Sequence, residues 1–162
     1  MNISTIKVIV TGGSTGIGYE TAKLLRAQGA EVVICGRNEE NIFKAPREID
    51  VYGVQADVSK ADDVQKLFNY AIEKLSGLNV LINNAGVGFM GSLLKTSVED
   101  FSKVWETNPK SVFLCGQKAA EHFVVQNTGN IINIASMVLP MVQPMCQAKQ
   151  LLRDLPCAGE LN

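Results

Sequence analysis

The 162-residue chain has no tyrosine after Tyr70, only one histidine (His122), and no C-x-x-C pair among its four cysteines, Cys35, Cys115, Cys146 and Cys157. A Cys/His metal site therefore has too few ligands at useful spacing, and the cysteines read as reduced, structural thiols. His122 falls in a helical pattern and reads as a helix-surface residue with no catalytic role. An excess of charge is missing too: 15 Lys+Arg stand against 16 Asp+Glu. That balance provides neither the basic footprint of a nucleic-acid partner nor a cationic face for a membrane. No apolar run reaches the roughly 18 residues of a membrane span, and the segment from Met1 to Ile6 lacks the charged start and long apolar core of a signal peptide. A cytoplasmic protein is expected. Linkers, repeats and low-complexity tracts are absent as well, so residues 1–162 are read as one domain.

What is present begins at the first apolar run. Val8-Ile9-Val10 leads into Thr11-Gly12-Gly13-Ser14-Thr15-Gly16-Ile17-Gly18, and an amphipathic stretch opens at Ile17. This is a strand, a glycine turn and a helix start. Gly12, Gly16 and Gly18 let the backbone turn tightly, approach a pyrophosphate and pack helix against strand, while free N–H groups at the helix N-terminus face the anion. The motif points to a dinucleotide. Further on, the hydrophobic period alternates between short strand-like runs (7–11, 31–35, 51–56, 79–83, 130–135) and helical ones (17–28, 38–44, 61–76, 98–106, 111–126). Repeated βαβ units with right-handed crossovers predict an α/β, Rossmann-like, doubly wound parallel sheet of strand order 3-2-1-4-5. Its ligand crevice lies at the C-terminal ends of strands 1 and 4.

The glycine spacing is TGxxxGxG, and Asn83-Asn84-Ala85-Gly86 follows the apolar run Asn79-Val80-Leu81-Ile82. With Asp57-Val58, Asn108 and the strand Ile131-Ile132-Asn133-Ile134-Ala135-Ser136, residues 5–136 resemble the short-chain dehydrogenase/reductase family. The resemblance implies a nicotinamide dinucleotide as cofactor, a small carbonyl or alcohol as substrate, and a homo-oligomer for an intact member. It assigns Thr11, Gly12, Ser14, Thr15, Gly16, Ile17 and Gly18 to the pyrophosphate turn and Asp57 and Val58 to the adenine. Asn84, Ala85 and Gly86 fall to the ribose side, in a motif that also steadies the sheet. The end of strand 2 reads Cys35-Gly36-Arg37-Asn38, with no carboxylate to bond free ribose hydroxyls and with Arg37 able to fork onto a 2′-phosphate. NADP(H) is expected over NAD(H).

For catalysis the resemblance implies a tyrosine that protonates the substrate oxygen, a lysine four residues later that lowers its pKa, a serine that orients the oxygen and an asparagine that carries a relay water. Ser136 matches the serine and Asn108 the asparagine. The Tyr-x-x-x-Lys is missing: the residues after Ser136 read Met137-Val138-Leu139-Pro140-Met141-Val142-Gln143-Pro144-Met145-Cys146, with no strand or helix period. Plausible codons for 137–152, read one nucleotide out of step, give Gly-Ser-Ala-Asn-Gly-Ser-Ala-Tyr-Val-Pro-Ser-Lys-Ala-Ala-Val, which restores the motif. Residues 137–157 are accordingly read as a frame-shifted segment, and the chain as a family member truncated before its last strands. The helix that carries the pair, and that builds the family's subunit interface, falls in that segment. Two expectations follow: an NADP(H)-dependent oxidoreductase by descent, or a catalytically inactive nucleotide-binding remnant. Pro109 is a further departure, since proline has no N–H and restricts the residue before it, and it is expected to displace Asn108.

Overall fold

The computed structural model describes residues 2–88 and 93–135. Ser136 and the segment 137–157 lie outside the described residues. Five parallel strands, β1 (Lys7–Thr11), β2 (Glu31–Gly36), β3 (Tyr52–Gln55), β4 (Val80–Asn83) and β5 (Asn130–Asn133), form one sheet in the order β3-β2-β1-β4-β5. This is the strand order expected from the alternating periods. The central register pairs Ile9 with Val33 on one side and with Leu81 on the other. Central strands of a parallel sheet are covered on both faces and so read as unbroken apolar runs, as Val8-Ile9-Val10 and Val32-Val33-Ile34 do.

Two cores result. On one face α3 (Ala61–Leu75) and α5 (Ser111–Gln126) bring Leu67, Phe68, Ala71, Cys115 and Ala119 against Ile9, Val33 and Leu81. On the other, α1 (Gly16–Ala27) and α2 (Glu39–Ile49) bring Ala22, Ile42, Ala45 and Ile49 against Val8, Val10, Val32 and Ile34.

Helix α2 runs past the expected 38–44, through Pro46. Ile42, Ala45 and Ile49 keep one buried face, Asp50 closes the helix in the left-handed conformation, and Gly53 of β3 makes room for the proline ring. Apolar spacing and the cap outweigh the missing proline N–H. At the next departure, α4 (Val98–Trp105) does not pass directly into α5. A π turn, Glu106–Lys110, joins them and takes up Pro109, whose absent N–H costs less where the i→i−4 ladder is already interrupted. Strand β5 stops at Asn133, two residues short of the expected end, and 3-10 turns at Ile3–Thr5 and Leu93–Lys95 had no counterpart in the sequence pattern.

Candidate functional site

The C-terminal ends of β1, β2, β3 and β4 converge on a crevice of about 400 Å³. Ten of the residues singled out in the sequence line it: Gly12, Ser14, Thr15, Ile17, Arg37, Asp57, Val58, Asn84, Ala85 and Gly86. A larger open hollow, about 590 Å³, lies on the outer side of α1 around Ile17, Glu20 and Leu24, but it has no such convergence of polar groups from several strand ends.

Thr11 sits beneath the crevice as its main tie. Its buried Oγ1 accepts from the N–H groups of Asn84 and Ala85, both at 3.0 Å, and donates to the Ile82 carbonyl at 3.4 Å. The Asn84 amide returns the link, its Nδ2 donating to the Thr11 carbonyl at 3.0 Å and the Gly12 carbonyl at 3.2 Å. One strand further, Asn83 Nδ2 donates to Asn133 Oδ1 at 2.9 Å and joins β4 to β5. The Asn-Asn-Ala-Gly segment thus steadies the sheet from both sides.

The glycines divide by what surrounds them. Gly12 and Gly16 have φ of +64° and +56°, where other residues are strained. A Cβ at Gly16 would meet nothing within 4 Å, so its backbone borders open space. A Cβ at Gly18 would instead fall 2.4 Å from both Asn84 Nδ2 and the Gly12 carbonyl. Gly18 is thus also demanded by contacts within the protein, the close packing of helix against strand. Thr15 occupies the N-cap of α1 in extended conformation without capping through its side chain, leaving first-turn N–H groups available for an anion.

At the end of β2, Arg37 reaches the neighbourhood of Asp57. Burial opposes ionisation of the Asp57 carboxyl, but hydrogen bonds from Ser59 Oγ (2.7 Å) and N–H (3.1 Å), with the Arg37 and Lys60 charges, outweigh it and hold the pKa below its ordinary value. Cys35, 1% exposed in the floor, has its thiol pushed up to about 12, chiefly by burial, against the Gly12 backbone hydrogen bond and with the Asp57 charge adding. Cys115 is buried, and its thiol is also raised by burial. Both thiols are free and neutral.

Asn108 is 1% exposed, on the π turn. Its Oδ1 accepts from the Val87 N–H at 2.8 Å and its Nδ2 donates to the Val87 carbonyl at 3.0 Å. The side chain is clamped to the loop that follows β4, with Pro109 next to it in the π turn. It does not line the crevice, whereas its neighbour Thr107 does. Thr107, like Cys35, Gly36, Asn38, Asn41 and Ala56, was not singled out from the sequence. Glycine spacing and charge mark a phosphate site, but small or hydroxylated residues that form walls carry no periodic signal. His122 is half-buried rather than exposed, and its Nε2 has no partner. Among the described residues no group of three His, Cys, Asp or Glu side chains is placed to hold a metal ion, and no helix is long and apolar enough to cross a membrane.

Residues 7–148 match the sequence profile described as short chain dehydrogenase. Over 148 residues the chain is 35% identical to gluconate 5-dehydrogenase of Gluconobacter oxydans, and over 142 residues 37% identical to a 3-oxoacyl-[acyl-carrier-protein] reductase of Synechocystis. These alignments take in 88% and 84% of this chain and 58% of each relative, so it spans less than two thirds of their length. A crystal structure of a short chain dehydrogenase from Bacillus anthracis superposes with a TM-score of 0.87 at 32% identity, covering 93% of this chain and 66% of that one. The glycine turn, the strand order and these alignments agree, and the chain belongs to the short-chain dehydrogenase/reductase family.

Proposed function

We propose that residues 1–162 form a nucleotide-binding domain that takes NADP(H) in preference to NAD(H), of an oxidoreductase acting on a carbonyl/alcohol pair. The carrying observation is the end of β2, where Arg37 lines the crevice and neither Cys35 nor Gly36 provides a carboxylate. A Cβ at Gly36 would lie 2.6 Å from Ser14 Oγ, so an acidic side chain there would displace Ser14. The guanidinium offers a planar fork of donors suited to a phosphate. The other residues fit a dinucleotide: the uncapped α1 N-terminus suits the pyrophosphate, and the Asp57 carboxylate, ionised at neutral pH, can accept from an adenine amino group. Bound NADPH supplies hydride to a carbonyl carbon. The names of the two curated relatives, a hydroxy-acid dehydrogenase and a 3-oxoacyl reductase, support a ketone/alcohol pair.

A proton donor for the carbonyl oxygen is the missing part, and this favours a second reading, that the 162 residues hold nucleotide without turnover. No tyrosine follows Tyr70, and Asn108 has its amide engaged by Val87. A Lys-assisted phenol has no substitute among Ser136 and Asn108, since a serine hydroxyl does not release its proton near neutral pH. NADPH oxidation across a panel of small ketones tests both readings. The chain is expected to show no turnover above background. A version with residues 137–157 replaced by the out-of-step reading, extended with the C-terminal part of the Synechocystis relative, is expected to oxidise NADPH. Turnover by the unaltered chain would overturn the remnant reading, and silence of the repaired one would overturn descent from an active reductase.

A further inference from the structure

The turn between β2 and α2 is held at three successive carbonyls, and one of the three ties comes from a side chain. The β2–β3 ladder ends where Gly36 faces Gln55. There the Gly36 carbonyl accepts from the Ala56 N–H at 3.1 Å, and two residues on the Asn38 carbonyl accepts from the Ile42 N–H, also at 3.1 Å, in the first turn of α2. Between them, with β2 already ended, the Arg37 carbonyl accepts from Gln55 Nε2 at 3.0 Å. The alternation of β3 puts Gln55 on the same face as Gly53, whose missing side chain makes room for Pro46, so its amide stands on the side where this turn enters α2. Gln55 is exposed and does not line the crevice. The Arg37 guanidinium itself has no hydrogen bond or ion pair with any described residue, so the backbone beneath it sets where it stands.

We propose that Gln55 is a positioning residue for cofactor selectivity. By holding the Arg37 carbonyl it fixes the turn from which the guanidinium meets a 2′-phosphate, without itself touching the nucleotide. The role assigned to Gln55 rests on the NADP(H) reading given above. A planar fork of donors gains most from a phosphate when its carrier is already in place, because any freedom of the turn has to be given up on binding. Loss of the tie therefore weakens the phosphate contact alone. NADH has a 2′-hydroxyl at that point and gains little from the fork, so it loses little.

Equilibrium titrations of NADPH and NADH against the purified chain, Gln55→Met, Arg37→Ala and the double variant test this role. Gln55→Met keeps the length of the side chain and removes the donor. It is expected to weaken NADPH by about two- to fivefold, the range of one exposed hydrogen bond, and to leave NADH unchanged. In the Arg37→Ala background the same substitution is expected to change neither affinity, because Gln55 acts through the guanidinium. Gln55→Leu is the second donor-free variant, and far-UV circular dichroism with urea unfolding checks that each is folded. An unchanged NADPH/NADH ratio in a folded donor-free variant overturns the role of Gln55. Equal losses of both cofactors, which mark a structural part only, overturn it too, as does an undiminished effect in the Arg37→Ala background. All three leave the NADP(H) reading standing while the wild type prefers NADPH. Wild-type affinities that are equal, or absent for both cofactors, overturn that reading and the role of Gln55 with it.

Discussion

The centre of the sheet and its β5 edge are built differently. In β1 four of five residues are buried and in β4 all four, whereas none of the four residues of β5 is, and Ile132 is 46% exposed. The first group holds the middle of the crevice, tied by Thr11 and Asn84, while Arg37, Asp57 and Val58 follow β2 and β3. The segment leading to Ser136 leaves from the second, held to β4 by its ladder and by the Asn83–Asn133 pair. The crevice is thus anchored at its middle on the best-buried strands of the sheet, β1 and β4.

The strongest break in that contrast is expected at Gly18. Gly18→Val forces atoms into Asn84 and the Gly12 carbonyl, at the knot that joins β1 to β4. Nucleotide binding should fall beyond detection, with stability lower by about 2 kcal/mol. Undiminished affinity in an NADPH titration would mean that the turn tolerates repacking. Core truncation compares the centre and the β5 edge directly. Leu81→Ala, at a fully buried position of β4, is expected to cost about 3 kcal/mol in urea unfolding, while Ile132→Ala in β5 costs less than about 1 kcal/mol. Equal losses would show β5 to be as well packed as the centre. Between these, Asn83→Ala leaves Asn133 without its partner and removes a part-buried hydrogen bond, for about 1 kcal/mol. The same titration should show near wild-type nucleotide affinity, because Asn83 does not line the crevice.

The smallest effect expected is that of Asp57. Hydrogen bonds from Ser59 and the charges of Arg37 and Lys60 prevail over burial and lower its pKa from 3.8. A carboxyl with a depressed folded-state pKa stabilises in full above its unfolded value and loses that contribution as the pH falls through the lowered one. Asp57→Asn should therefore reduce the drop in urea midpoint between pH 5 and pH 2, by a fraction of a kcal/mol since the group is partly exposed. An identical acid profile in wild type and variant would assign the acid loss to other carboxyls.

Much of this architecture was legible in the sequence because it depends on short-range patterns. Val8-Ile9-Val10 and Val80-Leu81-Ile82 are unbroken apolar runs, and the glycines between Thr11 and Gly18 allow few other arrangements. Arg37 and Asp57 were readable because each follows a strand end that the pattern locates. Residues whose roles come from three-dimensional contact were not. The extension of α2 through Pro46 depends on Gly53 in another strand, and the π turn at Pro109 depends on Asn108 finding Val87. The closeness of Gly18 to the Asn84 amide likewise comes from a distant segment of the chain and leaves no mark in the local sequence.

Selection of a 2′-phosphate by Arg37 is what the proposed function depends on. Equilibrium titration of NADPH and NADH against the purified chain and against Arg37→Asp tests it most directly. NADPH is expected to bind more tightly by at least about tenfold in the wild type, the value of one charge-assisted contact, with the preference lost or reversed in the variant. Equal affinities in the wild type, or an NADPH/NADH ratio unchanged by Arg37→Asp, would contradict it.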